Sequence, residues 1–243
     1  MNLRTRAVDY TMMAFSILFG CGSIVLLFGG GVPGYRNFGW SELAILFWDA
    51  ALSLLFFVQH SGMVRSHFRE RLASVVPIRY HGAVYSIASG IALIVVVLFW
   101  QRSQVELIRL EGNLLWMARI CSLLAVLVFA LSAYSLRSFD MLGMGPIRAH
   151  LRGRPLQPTP FVVRGPYRWV RHPFYSCILV LFWTNPEVTE DRLLFNVLWT
   201  GWIYVGTLLE EQDLLRAFGN AYVEYRERVP RFFPWRRPAT VAP

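Results

Sequence analysis

The chain has 243 residues, 55% of them hydrophobic and 16% charged, with a formal charge of +9 and a mean hydropathy of +0.42. A water-soluble domain normally carries about 25% charged residues, so the composition argues against an ordinary aqueous core and for lipid as the solvent. The positive charge is all arginine, and it lies between apolar blocks, where the arginine bias of membrane loops explains it better than nucleic-acid binding does.

Six apolar blocks follow in chain order, over residues 10–29, 43–64, 82–100, 114–136, 172–184 and 192–209. The first follows Arg4 and Arg6 and contains Leu18-Phe19-Gly20-Cys21, an arrangement that resembles a cleavable leader. Its apolar run continues to Phe28. That is nearer the ~20 residues of a span than the roughly 7–15 of a signal core, and it predicts an uncleaved transmembrane helix. Gly29-Gly30-Gly31-Val32-Pro33-Gly34 satisfies the G-x-G-x-x-G pattern. It follows a membrane helix rather than a strand, and Pro33 lacks an amide, so no dinucleotide site is expected there. The next three blocks are also long enough to span. Within the fourth, Arg119 is shallow enough for its side chain to snorkel to the interface.

Residues 137–171 hold five prolines among arginines and no obvious helix, the mark of a long functional or disordered connection. The fifth block is short and stops at Asn185-Pro186, so blocks five and six read as a tight helical hairpin. A last helix over 210–229 leaves the membrane and ends at Val229-Pro230. If every block crosses, the N-terminal tail, the loops 65–81 and 137–171 and the C-terminal tail share one face. That face takes most of the 24 arginines, while the other has Arg36, Arg102, Arg109 and Arg192. The bias places both termini in the cytoplasm, with the chain in the inner membrane.

The expected fold is all-α: a polytopic membrane protein of five to six transmembrane helices with a C-terminal helical hairpin and a cytoplasmic C-terminal helix. It reads as one membrane domain over 1–243, with four helices in 1–136, the linker 137–171, and the hairpin and last helix in 172–243. Cys21, Cys121 and Cys177 lie far apart in apolar blocks, without metal-ligand or disulfide spacing, and are expected to pack as small hydrophobes.

The chemistry gathers where the fifth block begins. Arg164-Gly165-Pro166-Tyr167-Arg168-Trp169-Val170-Arg171-His172-Pro173-Phe174-Tyr175 brings cations, an imidazole and aromatics to a helix start. Pro173 suits the first helical position, and the free amides behind it favour an anion. Glu210-Glu211, followed by Asp213, closes the sixth block. Carboxylates at a helix C-terminus oppose its dipole and call for a cation nearby. In a tight hairpin His172 and Glu210 become neighbours at the cytoplasmic interface. S-adenosylmethionine suits such a place: arginine, histidine or amides take its carboxylate, a glutamate its ammonium, and an aromatic ring its adenine or sulfonium. Arginines facing lipid headgroups and pairing with the glutamates suit it equally, and residue chemistry alone does not separate the two.

Gly165-Pro166-Tyr167, Arg171-His172-Pro173-x-Tyr175, Glu210-Glu211-x-x-Leu214, Phe218-Gly219-x-x-Tyr222-x-x-Tyr225 and Val229-Pro230 occur in this order. Together they closely resemble the isoprenylcysteine carboxyl methyltransferase superfamily, which includes membrane-embedded phospholipid methyltransferases. The resemblance covers about residues 164–234. It implies an S-adenosylmethionine site with His172, Pro173, Tyr175 and Glu210 as contacts and Gly165, Tyr167, Arg171 and Glu211 as neighbours. Gln59-His60-Ser61, Phe99-Trp100-Gln101, Phe182-Trp183 and the acidic turn before Leu193-Leu194-Phe195 look like the bacterial methanethiol S-methyltransferase branch, related to NnrU-type proteins. Isoprenylcysteine enzymes place a carboxylate-binding arginine one turn before the glutamate; this chain has Gly206 there, which speaks against a prenylated carboxylate substrate.

The resemblance implies methyl transfer to a small apolar thiol, methanethiol, giving dimethyl sulfide. A thiolate is the nucleophile in such a transfer, and His60, at the end of the second block, is the candidate catalytic base; its alternative is a hydrogen-bonded interface histidine. A lipophilic amine, thiol or carboxylate acceptor, or a non-enzymatic NnrU-like accessory role, are the competing expectations. Membrane lipids are expected contacts; no nucleic acid, metal or obligate protein partner is implied.

Overall fold

A run of some twenty apolar residues in lipid must satisfy its own peptide groups, and a helix does so within one segment. In the computed structural model of the chain, five helical stretches among the described residues are long and apolar enough to cross a membrane: Leu3–Phe28, Glu42–Val64, Ile78–Phe99, Gly112–Ser135 and Glu190–Phe218. The protein is therefore polytopic and all-α in character. The structure describes residues 3–29, 38–136, 140–156 and 160–239. Gly30 to Gly34 of the glycine-rich stretch lie outside the described residues, as do Arg36, Arg137 and Pro158 of the loops.

The chain divides into two compact units, Met1–Val105 with Asp140–Pro158, and Glu106–Phe139 with Thr159–Pro243. In the first, α1 (Leu3–Ser16), a π-helical turn (Ile17–Cys21) and α2 (Gly22–Gly29) form one span. It is followed by α3 (Glu42–Val64), the short α4 (Ser66–Ala73) and α5 (His81–Phe99). Ser41 starts α3 by accepting from the Ala44 amide at 3.4 Å. Small residues let α5 approach the first span closely: a Cβ on Gly90 would strike the Phe19 backbone, and one on Gly20 the Ser86 side chain. Asp9, fully buried, is held by the Tyr80 hydroxyl at 2.6 Å and by His150 Nδ1 at 2.9 Å, with Arg79 Nε 3.6 Å away. A carboxylate inside a span is tolerated when it is surrounded in this way.

The described parts of the connection 137–171 hold more regular structure than the sequence implies. They contain α7 (Gly145–Leu151) and a 3-10 turn (Gly165–Arg168). Asp140 starts α7 by accepting from the Met144 amide at 2.8 Å, and the described prolines fall at helix starts or outside both elements. Gly143 (φ +66°) lies against the backbone of Gly82, which seats this segment on α5.

In the second unit α6 (Gly112–Ser135) packs on α8 (Pro173–Trp183), with Phe129 and Phe174 in edge contact at 4.8 Å. Only 11% of the apolar window of α6 is buried, as expected of a helix whose solvent is lipid. Arg119 is exposed and lies over the Trp116 ring at 5.4 Å. An antiparallel ribbon, unforeseen in the sequence, pairs β1 (Glu106–Arg109) with β2 (Glu187–Thr189), and Arg109 binds Glu106 on its own strand and Glu187 across the ribbon. Of the cysteines, Cys177 is buried and packed; Cys21 and Cys121 are exposed on their helices rather than packed.

The hairpin is asymmetric. With 11 residues, α8 rises only about 16 Å, half of a ~30 Å hydrocarbon core. It pairs with the middle turns of α9 (Glu190–Phe218): Trp183 Nε1 donates to Thr200 Oγ1 at 3.0 Å, and His172 meets Glu211. The extended stretch through β2 runs back to the start of α9. Beyond Phe218, Gly219 takes φ +54° and turns the chain into α10 (Asn220–Arg228), so the expected helix over 210–229 is two helices.

Candidate functional site

The site is built where α8 begins, beside the later turns of α9. Gly165 opens the 3-10 turn at φ +54°, and a Cβ there would collide with the Ser135 side chain at the end of α6. Its role is therefore to let the turn pack. Tyr167 lies in that turn; its carbonyl accepts from the Tyr225 hydroxyl at 2.7 Å, and burial raises its phenol above the usual tyrosine range. Past Val229-Pro230 the chain doubles back along this segment. The Arg171 and His172 amides donate to the Pro230 and Arg231 carbonyls at 2.8 and 3.1 Å. Ser176 Oγ donates to the Phe232 carbonyl at 2.9 Å, and Arg168 and Ala239 exchange bonds through Arg168 Nε and the Ala239 amide.

This clasp brings two arginines and a histidine onto one carboxylate. Glu211, 4% exposed at its side chain, accepts from Arg171 Nε at 2.9 Å and from Arg231 Nε and Nη2 at 3.1 and 2.9 Å. His172 Nε2 lies 3.1 Å from the same carboxylate. Arg171 also donates from Nη1 to the Arg226 and Val229 carbonyls, so both its ends are committed. The Glu211 hydrogen bonds and charge hold Arg231 above its ordinary pKa range.

Glu210, one residue earlier, has a different setting. Its Oε2 is shielded from solvent and has no hydrogen-bond partner, 3.8 Å from His172 Nδ1. The Tyr175 side chain is its neighbour and hydrogen-bond partner, with the Tyr175 ring 5.7 Å from that of His172. Pro173 stands at the first position of α8, leaving the next amides without an acceptor from their own helix. A shielded carboxylate oxygen, a buried imidazole and a helix start thus converge, a donor set that fits an ammonium and a carboxylate carried by one small molecule. At Gly206 a Cβ would meet nothing within 4 Å, so the chain leaves open space where an arginine side chain would begin.

The structure thus brings Tyr167, Arg171, His172, Pro173, Tyr175, Glu210 and Glu211 together, with Gly165 shaping their approach. One part of the sequence reasoning is corrected. The acidic pair does not close its helix: α9 runs on to Phe218, so the dipole does not oppose these carboxylates. The cation required near them exists, but as Arg171 and Arg231 on Glu211. Sequence reading placed Arg231 merely among the tail arginines; the break at Val229-Pro230, which returns the chain toward the site, was the available signal.

His60 belongs to the first unit, near the end of α3. Its Nε2 lies 2.6 Å from the Tyr85 hydroxyl and its Nδ1 3.1 Å from Ser89 Oγ, and its ring lies 5.2 Å from that of Phe56. A neutral imidazole donates from one nitrogen and accepts at the other, and two hydroxyls can serve either tautomer.

The family model described as NnrU protein matches residues 50–185. The chain belongs to the NnrU family. The match takes in His60 and the Gly165–Tyr175 segment, while the glutamates of α9 lie beyond it. This NnrU-family chain is 34% identical over 190 residues to methanethiol S-methyltransferase 1 of Bradyrhizobium diazoefficiens, covering 76% of the chain and 66%, just under two thirds, of that relative. It is 31% identical over 229 residues to methanethiol S-methyltransferase of a Pseudomonas species, covering 91% of the chain and 86% of the relative. It is also 29% identical over 245 residues to nurim of Mus musculus, covering 85% and 88%. No solved structure matches the chain. The relatives named as methyltransferases support a membrane methyltransferase.

Proposed function

We propose that this NnrU-family protein transfers a methyl group from S-adenosylmethionine to a small apolar thiol, with methanethiol as the substrate and dimethyl sulfide as the product. The observation that carries the proposal is the shielded Glu210 oxygen beside His172. The Glu210 side chain is 41% exposed, open enough for a ligand to reach it, and an ammonium group would supply the donor that its shielded Oε2 lacks. Glu210 then holds the ammonium. The open amides at the start of α8, with His172, hold the carboxylate, and Tyr175 lies beside them. Bound there, the donor supplies a methyl group on a sulfonium, an electrophile that needs little activation beyond placement. The chain's own work is to position donor and acceptor in line, exclude water and favour the thiolate. Glu211, Arg171 and Arg231 keep His172 in place, and His60 is the candidate for taking the thiol proton. The arginine bias puts both termini on the cytoplasmic side of the inner membrane.

The test is methyl transfer by detergent-purified protein supplied with S-adenosylmethionine and methanethiol, with dimethyl sulfide read by headspace gas chromatography. Product that disappears in Glu210→Ala and His172→Ala supports reaction and site together. Donor binding without product would keep the methyltransferase and send the search to lipophilic amines, thiols or carboxylates. The likeness to nurim, whose name states no reaction, favours a second reading as a membrane accessory protein, which predicts neither product nor donor binding.

A further inference from the structure

Apart from the Glu210–His172 pair, the second unit carries a cavity of about 440 Å³ lined by Arg171, Arg226, Arg231 and Arg236 together with Trp235 and Glu227. Arg171 and Arg231 are held by Glu211, and Arg236 donates to the Glu227 carbonyl. Arg226 has no carboxylate in ion-pair range among the described residues. With Glu211 and Glu227 counted against the four guanidiniums, two positive charges remain unbalanced. Trp235 and Phe233, next to these arginines in the chain, are 67% and 65% exposed.

Depth in the membrane identifies the occupant. At 29 residues α9 is about 43 Å long, against a hydrocarbon core of about 30 Å and a whole bilayer of roughly 40–45 Å. Its last turns, and α10 and the tail behind them, therefore stand among headgroups. Exposed tryptophan and phenylalanine beside arginine are the residues that dock to that layer. Paired guanidiniums are the usual receptors for phosphate oxygens.

We propose that this arginine pocket binds the phosphate of an anionic phospholipid, with Trp235 and Phe233 set into the surrounding acyl–headgroup boundary. The phosphate closes the charge imbalance between Arg226 and Arg236. The site is separate from the donor site, because Glu210 and the Nδ1 edge of His172 are not among its lining residues.

The experiment is native mass spectrometry of the full-length protein in detergent, titrated with phosphatidylglycerol or with phosphatidylcholine of the same chains. The comparison is between wild type and the Arg226→Gln/Arg236→Gln double variant. Removing two basic side chains near a membrane surface is expected to weaken phosphatidylglycerol binding about tenfold or more, leaving phosphatidylcholine binding unchanged, while Arg226→Lys/Arg236→Lys retains most of it. Equal phosphatidylglycerol binding by wild type and the glutamine variant would overturn the proposal. So would displacement of the lipid by millimolar inorganic phosphate, which marks a soluble phosphate site. Affinity for S-adenosylhomocysteine, followed by calorimetry, is expected to be the same in all three proteins. A parallel loss would assign the pocket to the donor site instead.

Discussion

Glu210 and Glu211 are adjacent, identical in chemistry and opposite in what their removal is expected to do. Glu211→Gln keeps the side-chain volume but removes the charge that Arg171, Arg231 and His172 share. An amide presents one acceptor oxygen and turns its NH₂ toward a guanidinium. Breaking a buried ion pair by deleting one partner costs about 3–5 kcal/mol. The Arg171 side chain is 9% exposed, but that of Arg231 is 22% exposed, so water recovers part of the loss and about 3 kcal/mol is expected. At roughly 2–4 °C per kcal/mol for a chain of this size, Glu211→Gln melts about 6–12 °C below wild type. The Glu210 side chain is 41% exposed, its Oε2 has no partner to lose, and a glutamine keeps an oxygen for Tyr175, so the Glu210→Gln melt stays within about 2–4 °C of wild type, a change of no more than about 1 kcal/mol. Binding of S-adenosylhomocysteine, which retains the ammonium, reverses the order. The loss of one charge-assisted contact weakens the Glu210→Gln protein at least about tenfold. Thermal melts and calorimetry on the two variants, purified in the same detergent, decide it. Equal destabilisation of the two, or full ligand affinity in Glu210→Gln, would refute the division of labour between them.

Gly143→Ala forces a Cβ into the Gly82 backbone from a left-handed position and is expected to cost about 2–3 kcal/mol, seen as a melt lower by several degrees and a reduced yield of folded protein. His60→Ala is expected to lower thiol methylation at neutral pH about a hundredfold, the ordinary contribution of a positioned base. The deficit shrinks as pH rises, because the thiolate then forms without help; a deficit independent of pH would assign His60 a packing role. Burial pushes the Tyr222 phenol up to about 12 and raises that of Tyr225 as well, whereas an unfolded tyrosine ionises near pH 10. The folded chain thus binds more protons across that window, so stability falls as pH rises from about 10 to about 12. Melts recorded along this range are expected to drop more steeply for wild type than for Tyr222→Phe.

The spans, the membrane setting and the residues that gather at the start of α8 were legible in the sequence, because each is a local property. An apolar run of span length has one stable form in lipid, and His172-Pro173 announces a helix start whatever surrounds it. Helix continuity past Glu210-Glu211 was harder to read, since charged residues end an apolar block without ending a helix. The ribbon of β1 and β2 was also invisible, because its strands are four and three residues long and pair across most of the second unit.

What the tertiary structure alone decided is which glutamate is tied into ion pairs and which keeps an oxygen without a partner. That depends on Arg231 reaching Glu211 from 20 positions away and Arg171 from 40. The chain achieves both by folding back after Val229-Pro230 onto the Arg171-His172 backbone. Local sequence can name an ionisable residue, but its partner is chosen by how the helices pack and where the chain returns, and that choice is made only when the whole unit folds.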